Sequence, residues 1–138
     1  MKPPRPCAGI HYAPKKKVFL VFTMGVGPMG QTLIDVPVEI ADQEFDARIE
    51  AVLMEALNSY QTKVGADRVW HEPQGMGFIR KHLYVRIERL ESGDLDVHPL
   101  HHMSGGYVGK EGEHIIVPAA DIPAKIVSVL RDAFAVAT

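Results

Sequence analysis

The stretch that most constrains this chain is Val18 to Ile40, VFLVFTMGVGPMGQTLIDVPVEI. It opens on a continuous apolar run, Val18 to Met24, rich in valine and phenylalanine. Such a run reads as a strand buried on both faces. The second half alternates. Ile34, Val36, Val38 and Ile40 fall on one side, and Asp35, Pro37 and Glu39 on the other. Period two means a half-buried strand. Pro37 has no N–H to give a ladder, so this strand belongs at a sheet edge or is bulged there.

Between the two lies Gly25-Val26-Gly27-Pro28-Met29-Gly30, which fits the G-x-G-x-x-G pattern. Over these six residues it resembles the loop of medium-chain alcohol dehydrogenases. A dinucleotide site needs a helix directly after the glycines, because the pyrophosphate sits on the helix N-terminus. Here a period-two segment with a proline follows, and a proline costs a helix interior about 3 kcal/mol. An acidic ribose ligand on a second parallel strand is also missing, since Asp42 to Lys63 is the best helical segment in the chain. The glycines are therefore read as a six-residue connection between two strands.

In that helix Phe45, Ile49, Val52, Ala56 and Tyr60 recur at helical spacing, with Leu53 and Leu57 widening the stripe. Asp42 is the expected N-cap, and Lys63 and Gly65 the expected end. Val69-Trp70-His71 is read as a short strand and Glu72 to Gly77 as a loop. Ile79 to Leu90 alternates again, Glu91-Ser92-Gly93 makes a three-residue turn, and Leu95 to Met103 returns as the next strand. Gly105-Gly106 and Gly109 to Gly112 punctuate a further hairpin that ends in the strand His114 to Pro118. Asp121 then caps a final helix with Ile122, Ile126, Leu130, Ala133 and Phe134 on its apolar face.

The expected fold is α+β: a mostly antiparallel five-stranded sheet with two helices packed on one face, in the order β-β-α-β-β-β-α. Residues 1–17, with four prolines and four lysines, are read as a Pro/Lys-rich N-terminal arm, with a short strand at Ile10 to Tyr12 as its only order. Residues 18–138 form one α+β domain, a normal size for a domain with its own core. Lys15-Lys16-Lys17 reads as a solvated approach to the first strand.

The formal net charge is −2, which argues against a general polyanion binder. The single cysteine, Cys7, cannot form an internal disulfide. The N-terminus lacks the apolar core of a signal peptide, and no apolar run approaches the ~20 residues that span a bilayer. The expectation is a cytoplasmic protein that does not enter a membrane.

Catalytic signatures are absent: there is no G-x-S-x-G, no H-E-x-x-H and no paired C-x-x-C. No catalytic residue, cofactor or metal is assigned. The three-residue turn sets a register in which Ile87 faces Val97, Val85 faces Pro99 and Leu83 faces His101 on the apolar side. The other side pairs Arg86 with His98, Tyr84 with Leu100 and His82 with His102, with Arg80 nearby. Arg80, His82, Tyr84, Arg86, His98 and His102 are the candidate partner-binding residues, because arginine and tyrosine are common interface anchors. Two functions follow. The first is a small non-enzymatic protein-binding module of inhibitor or immunity type, which covers a partner protein's functional site. The alternative is a single-stranded nucleic-acid binder that uses the same basic and aromatic sheet face.

Overall fold

A computed structural model describes residues 4–71, 82–103 and 106–138. Its elements are β1 (Cys7–Ala13), β2 (Val18–Gly27), β3 (Gly30–Ala41), α1 (Phe45–Asn58), β4 (Leu83–Arg89), β5 (Leu95–Met103), β6 (Gly106–Gly109), β7 (Ile115–Val117) and α2 (Ile122–Val136). The strands lie in the order β3-β2-β1-β4-β5-β6, and β7 also pairs with β5. Every strand ladder among the described residues is antiparallel. The α+β class with two helices on one face is what the patterning predicts. The strand count is not: there are seven strands among the described residues rather than five.

The largest correction is at the N-terminus. Cys7–Ala13, expected in an irregular arm, is β1, hydrogen-bonded to β2 on one side and β4 on the other. Pro6 and Pro14 flank this strand and none lies inside it, so the prolines bound a central strand instead of preventing one. Its residues are small or polar (Cys7, Ala8, Gly9, His11), and such a composition leaves no hydrophobic alternation to read. The lysines behave as expected: residues 14–17 make the exposed turn into β2.

The glycine-rich stretch is a hairpin tip, and the connection is shorter than six residues. β2 runs on through Gly27, β3 starts at Gly30, and only Pro28-Met29 intervene. Proline cannot supply the positive φ that a primed turn needs at its first position, so the left-handed conformation falls on Gly30, at φ +106°. Gly25 has a different task. Val26 N–H donates to the Gln61 carbonyl at 2.9 Å and Val64 N–H to the Val26 carbonyl at 2.9 Å, drawing the segment after α1 against β2. A Cβ at Gly25 would lie 2.7 Å from Val64 Cγ2 and 2.9 Å from the Gln61 carbonyl oxygen. Gly25→Ala is expected to destabilise the protein by about 1–3 kcal/mol, the usual cost of overpacking, measured as a lower urea midpoint at unchanged m-value.

This docking also shortens α1. The pattern predicts a helix to Lys63, but α1 ends at Asn58, because Gln61 and Val64 bond to β2 instead of continuing the helix. Neither helix has the predicted side-chain cap. Asp42 and Asp121 sit in single 3₁₀ turns ahead of α1 and α2, and no side-chain cap hydrogen bond forms at either helix. Asp121 pairs with Lys125 at 3.4 Å instead.

β3 is both an edge strand and a bulged one. The ladder to β2 jumps from Val21↔Val38 to Thr23↔Ile34, leaving residues 35–37 opposite a single residue. The bulge breaks the predicted one-sided alternation. Ile34 and Ile40 are buried, whereas Val36 is 87% exposed and Val38 is 44% exposed.

The core lies between the sheet and the helices. Ala8 and Ile10 of β1, Phe19 and Val21 of β2, Val85 and Ile87 of β4, and Leu95 and Val97 of β5 face it from below. From above come Ile49, Leu53 and Leu57 of α1 and Ile126, Leu130 and Phe134 of α2. The α2 stripe is as predicted and the α1 stripe holds up to Leu57, with Tyr60 beyond the helix end. Of the predicted apolar β4–β5 pairs, Ile87↔Val97 and Val85↔Pro99 form through the turn at Gly93, whereas His101 pairs with Val108 of β6 and not with Leu83.

Candidate functional site

The opposite sheet face carries the candidate residues. Arg80 lies outside the described residues. Two cross-strand rows can be followed. One runs Phe22, Gly9, Arg86, His98, and the other Leu20, His11, Tyr84. The expected Arg86↔His98 pair is formed. The Tyr84–Leu100 and His82–His102 pairs are not, because the β4–β5 ladder ends at Val85↔Pro99 and beyond it the backbone of Thr138 bonds the Leu100 carbonyl and the His102 N–H. On the other edge of β5, Leu100 pairs with Gly109 and His102 with Tyr107 of β6. Tyr107 then reaches back, and its hydroxyl donates to the His82 carbonyl at 2.7 Å.

This face is not the open platform that the alternation predicts. His11 is 2% exposed and sits at its centre. Its ring lies 4.0 Å from Tyr84, 5.4 Å from Phe22, and 5.9 Å from both His82 and Tyr107, centroid to centroid. Trp70 packs on Phe22 at 4.8 Å, brought there by its N–H donating to the Leu33 carbonyl. Burial, reinforced by the neighbouring His82, pushes the His11 pKa down to about 3. Burial likewise holds the Tyr84 hydroxyl well above its ordinary value. Cys7, on the same face, is a buried thiol whose Sγ lies 3.6 Å from Met24 Sδ, and burial pushes its pKa up to about 11. Such a thiol stays protonated and unreactive.

The outer part of the face is charged. Arg86 pairs with Glu88 at 3.2 Å, and Arg5 approaches the same carboxylate at 3.9 Å. Beyond them Asp96, 8% exposed, lies between two imidazoles: His114 Nδ1 at 2.7 Å from Oδ1, and His98 Nε2 at 3.2 Å from Oδ2. The His98 and His114 rings stack at 5.5 Å, 13° from parallel. Among the described residues this is the group whose donor atoms could hold a metal ion. His101, close to His98 in sequence, points to the other side and binds Glu113 Oε1 and Thr138 Oγ1, while His102 is exposed.

Sequence reasoning named His98 and Arg86 but missed His11, Asp96, Tyr107 and His114. Asp96-x-His98 carries a usable signal, since residues two apart on a strand share a face. His114 joins them only through the pairing of β7 with β5, which three residues of strand do not announce.

A second surface stands out at the β2–β3 hairpin. Met29 at its tip is 99% exposed, and Val36 and Val38 project from the bulged edge. Asp35 holds a left-handed φ of +61°, and Arg68 grips its carboxylate with Nε at 3.1 Å and a terminal nitrogen at 2.6 Å. The hydrogen bonds from Arg68 hold the Asp35 carboxyl below its ordinary pKa. A cleft of about 270 Å³ opens beside the tip, lined by Pro28, Met29, Thr32, Ala66 and Val69 among others. No helix of the described residues is long and apolar enough to cross a membrane.

No protein-family model matches the chain, and no curated protein matches it in sequence. The chain shares its fold with a solved structure of a protein of unknown function, NMB0488, from Neisseria meningitidis. The TM-score is 0.73 over all of this chain and 98% of that one, at 12% sequence identity.

Proposed function

We propose that the chain is a cytosolic, non-enzymatic protein-binding module of the inhibitor or immunity type, which covers a partner protein's functional site and presents the β2–β3 hairpin to it. The observation that carries this reading is Val36, an apolar side chain 87% exposed directly after Asp35, whose backbone is held at φ +61°. A non-glycine residue at positive φ costs free energy, and such strain collects where a local shape is used. Asp35 sits in that conformation under a two-pronged hold by Arg68, so the bulge is stiff, and bulges re-aim side chains. Pro37 at the same edge discourages simple strand addition, so the partner is one that takes Val36 and Met29 into an apolar pocket.

The nucleic-acid alternative asks for Tyr84 as a stacking platform and Arg86 as a phosphate contact. Tyr84 instead packs on His11, and Arg86 is engaged by Glu88. The protein-binding reading is therefore preferred.

The test is a comparison of baits. The native protein is expected to capture one stoichiometric partner from an extract of the source cell. The Met29→Ser/Val36→Ser double variant is expected to lose it, with thermal stability within about 0.5 kcal/mol of native because both side chains are exposed. A partner retained equally by both baits, or no stoichiometric partner at all, would overturn the proposal.

A further inference from the structure

We propose that Asp96, His98 and His114 form a binding site for a divalent transition-metal ion, with zinc as the reference occupant. The site is built by the strand pairing. Asp96 and His98 are two apart on β5 and share its outer face. β7 pairs with β5 as Leu95↔Val117, Asp96↔Ile116 and Val97↔Ile115, and one further step along this register sets His114 across from His98. One donor atom from each residue falls in a group whose members all lie within 4.8 Å of one another. Ligands around a tetrahedral zinc ion stand roughly 3.3 Å apart, given bonds of about 2.0–2.1 Å to each. His98 Nε2 stands 3.2 Å from Asp96 Oδ2, close to that value, and His114 Nδ1 is hydrogen-bonded to Oδ1 at 2.7 Å, a bond whose proton an arriving ion would displace.

A second observation points to a missing central atom. His98 Nε2 is shut off from solvent and has no hydrogen-bond partner among the described residues. It lies 3.2 Å from Asp96 Oδ2, yet off the line of a hydrogen bond, so this contact leaves the ring nitrogen's bonding capacity unused. An orphaned ring nitrogen beside a nearly buried carboxylate is costly, and a cation between them satisfies both.

The donor set selects the class of ion. Two imidazole nitrogens and one carboxylate oxygen suit zinc, cobalt, nickel or ferrous iron, and suit calcium and magnesium poorly. The neighbouring charges do not forbid a cation. Arg86 stands across from His98 and Glu88 across from Asp96, but Arg86 is itself paired with Glu88. Three protein ligands leave at least one coordination position for water or for a group from outside the chain. His114 is half exposed, at 47% of its side chain, so the site opens to solvent on that side. The bound ion ties the segment leading into β7 to β5, and so links metal to stability by mass action.

Tag-free protein, freed of metal by a chelator and dialysed, should be titrated with zinc by calorimetry and with cobalt by visible absorption. The expected result is one ion per chain, a cobalt spectrum of tetrahedral or five-coordinate intensity, and a higher melting temperature with metal. His114→Ala also removes the hydrogen bond to Asp96, a cost read from the melting temperature of the metal-free variant; it should weaken affinity at least tenfold and abolish the metal-induced melting shift, and Asp96→Asn should do the same. His102→Ala and His71→Ala should leave both unchanged. Absence of saturable binding at millimolar metal, or binding that His114→Ala and Asp96→Asn leave intact, would overturn the site.

Discussion

Acidification from about pH 7.5 to about pH 5 is expected to cost the protein on the order of 2 kcal/mol of stability through His11 alone. The folded-state pKa of this residue is pushed down to about 3 from an ordinary value of 6.5, first by burial and then by the neighbouring His82. A depressed histidine pKa means that the unfolded chain takes up the proton first. The His11 contribution is therefore fully present above the unfolded value and lost progressively as the pH falls from 6.5 towards 3. Among the described residues, the rings packed around it are those of Tyr84, Tyr107, Phe22 and His82, none of them a carboxylate. His11→Gln, of similar volume and uncharged, should flatten this part of the dependence. Urea denaturation of both proteins at the two pH values gives the difference of differences, which reports His11 together with its coupling to His82, since the histidines not in contact with it contribute to both alike. Parallel pH slopes for the two proteins would mean that His11 is solvated in a way its burial does not suggest.

The largest single effect on stability is expected at Phe45. Phe45→Ala should cost about 3–5 kcal/mol, the range for emptying a fully buried aromatic position. Phe45 opens α1, has no exposed surface, and lies 4.1 Å from the Phe19 ring of β2. The Arg131 guanidinium of α2 stands 4.7 Å from the Phe45 ring centroid and 5.8 Å from that of Phe19, and is fixed there by Asp46 at 3.0 Å and Asp42 at 3.3 Å. One ring thus joins both helices to β2. Phe45→Leu should recover more than half of the loss, because volume is the greater part of it, and the remainder reports the Arg131 contact, for which ~1 kcal/mol is ordinary. A loss below about 1 kcal/mol on Phe45→Ala, by chemical denaturation, would show that the two helices close over the gap.

How far such contacts were legible in the sequence differs between the two sheet faces. The helix-covered face was readable residue by residue. Ile49, Leu53 and Leu57 of α1, and Ile126, Leu130 and Phe134 of α2, repeat at helical spacing and are all buried. The β4–β5 register followed from a three-residue turn and one apolar face. The other face misled, because alternation of apolar and polar side chains suggests water on the polar side. Here that side is occupied by β1's His11, by Tyr84, by Tyr107 from β6 and by Trp70 from the segment after α1. None of these contacts is local, and each polar group meets a partner from a distant part of the chain. The same holds for the candidate sites. Asp96 and His98 are neighbours by spacing, but His114 reaches them through a three-residue strand. Val36 looked like a core residue by alternation, and only the bulge at residues 35–37 turns it to solvent.

By itself, the sequence determined that the chain after Gly30 is a strand and not a helix, because proline and period-two alternation are local costs that no packing removes. It likewise determined the apolar faces of both helices and the hairpin between β4 and β5. Only the tertiary structure decided that Cys7–Ala13 sits at the middle of the sheet, that the glycine of Gly25 admits the segment after α1, and that His114 stands beside His98 and Asp96. Those outcomes depend on hydrogen bonds and burial between residues far apart in the chain, and periodicity within one segment carries no trace of them.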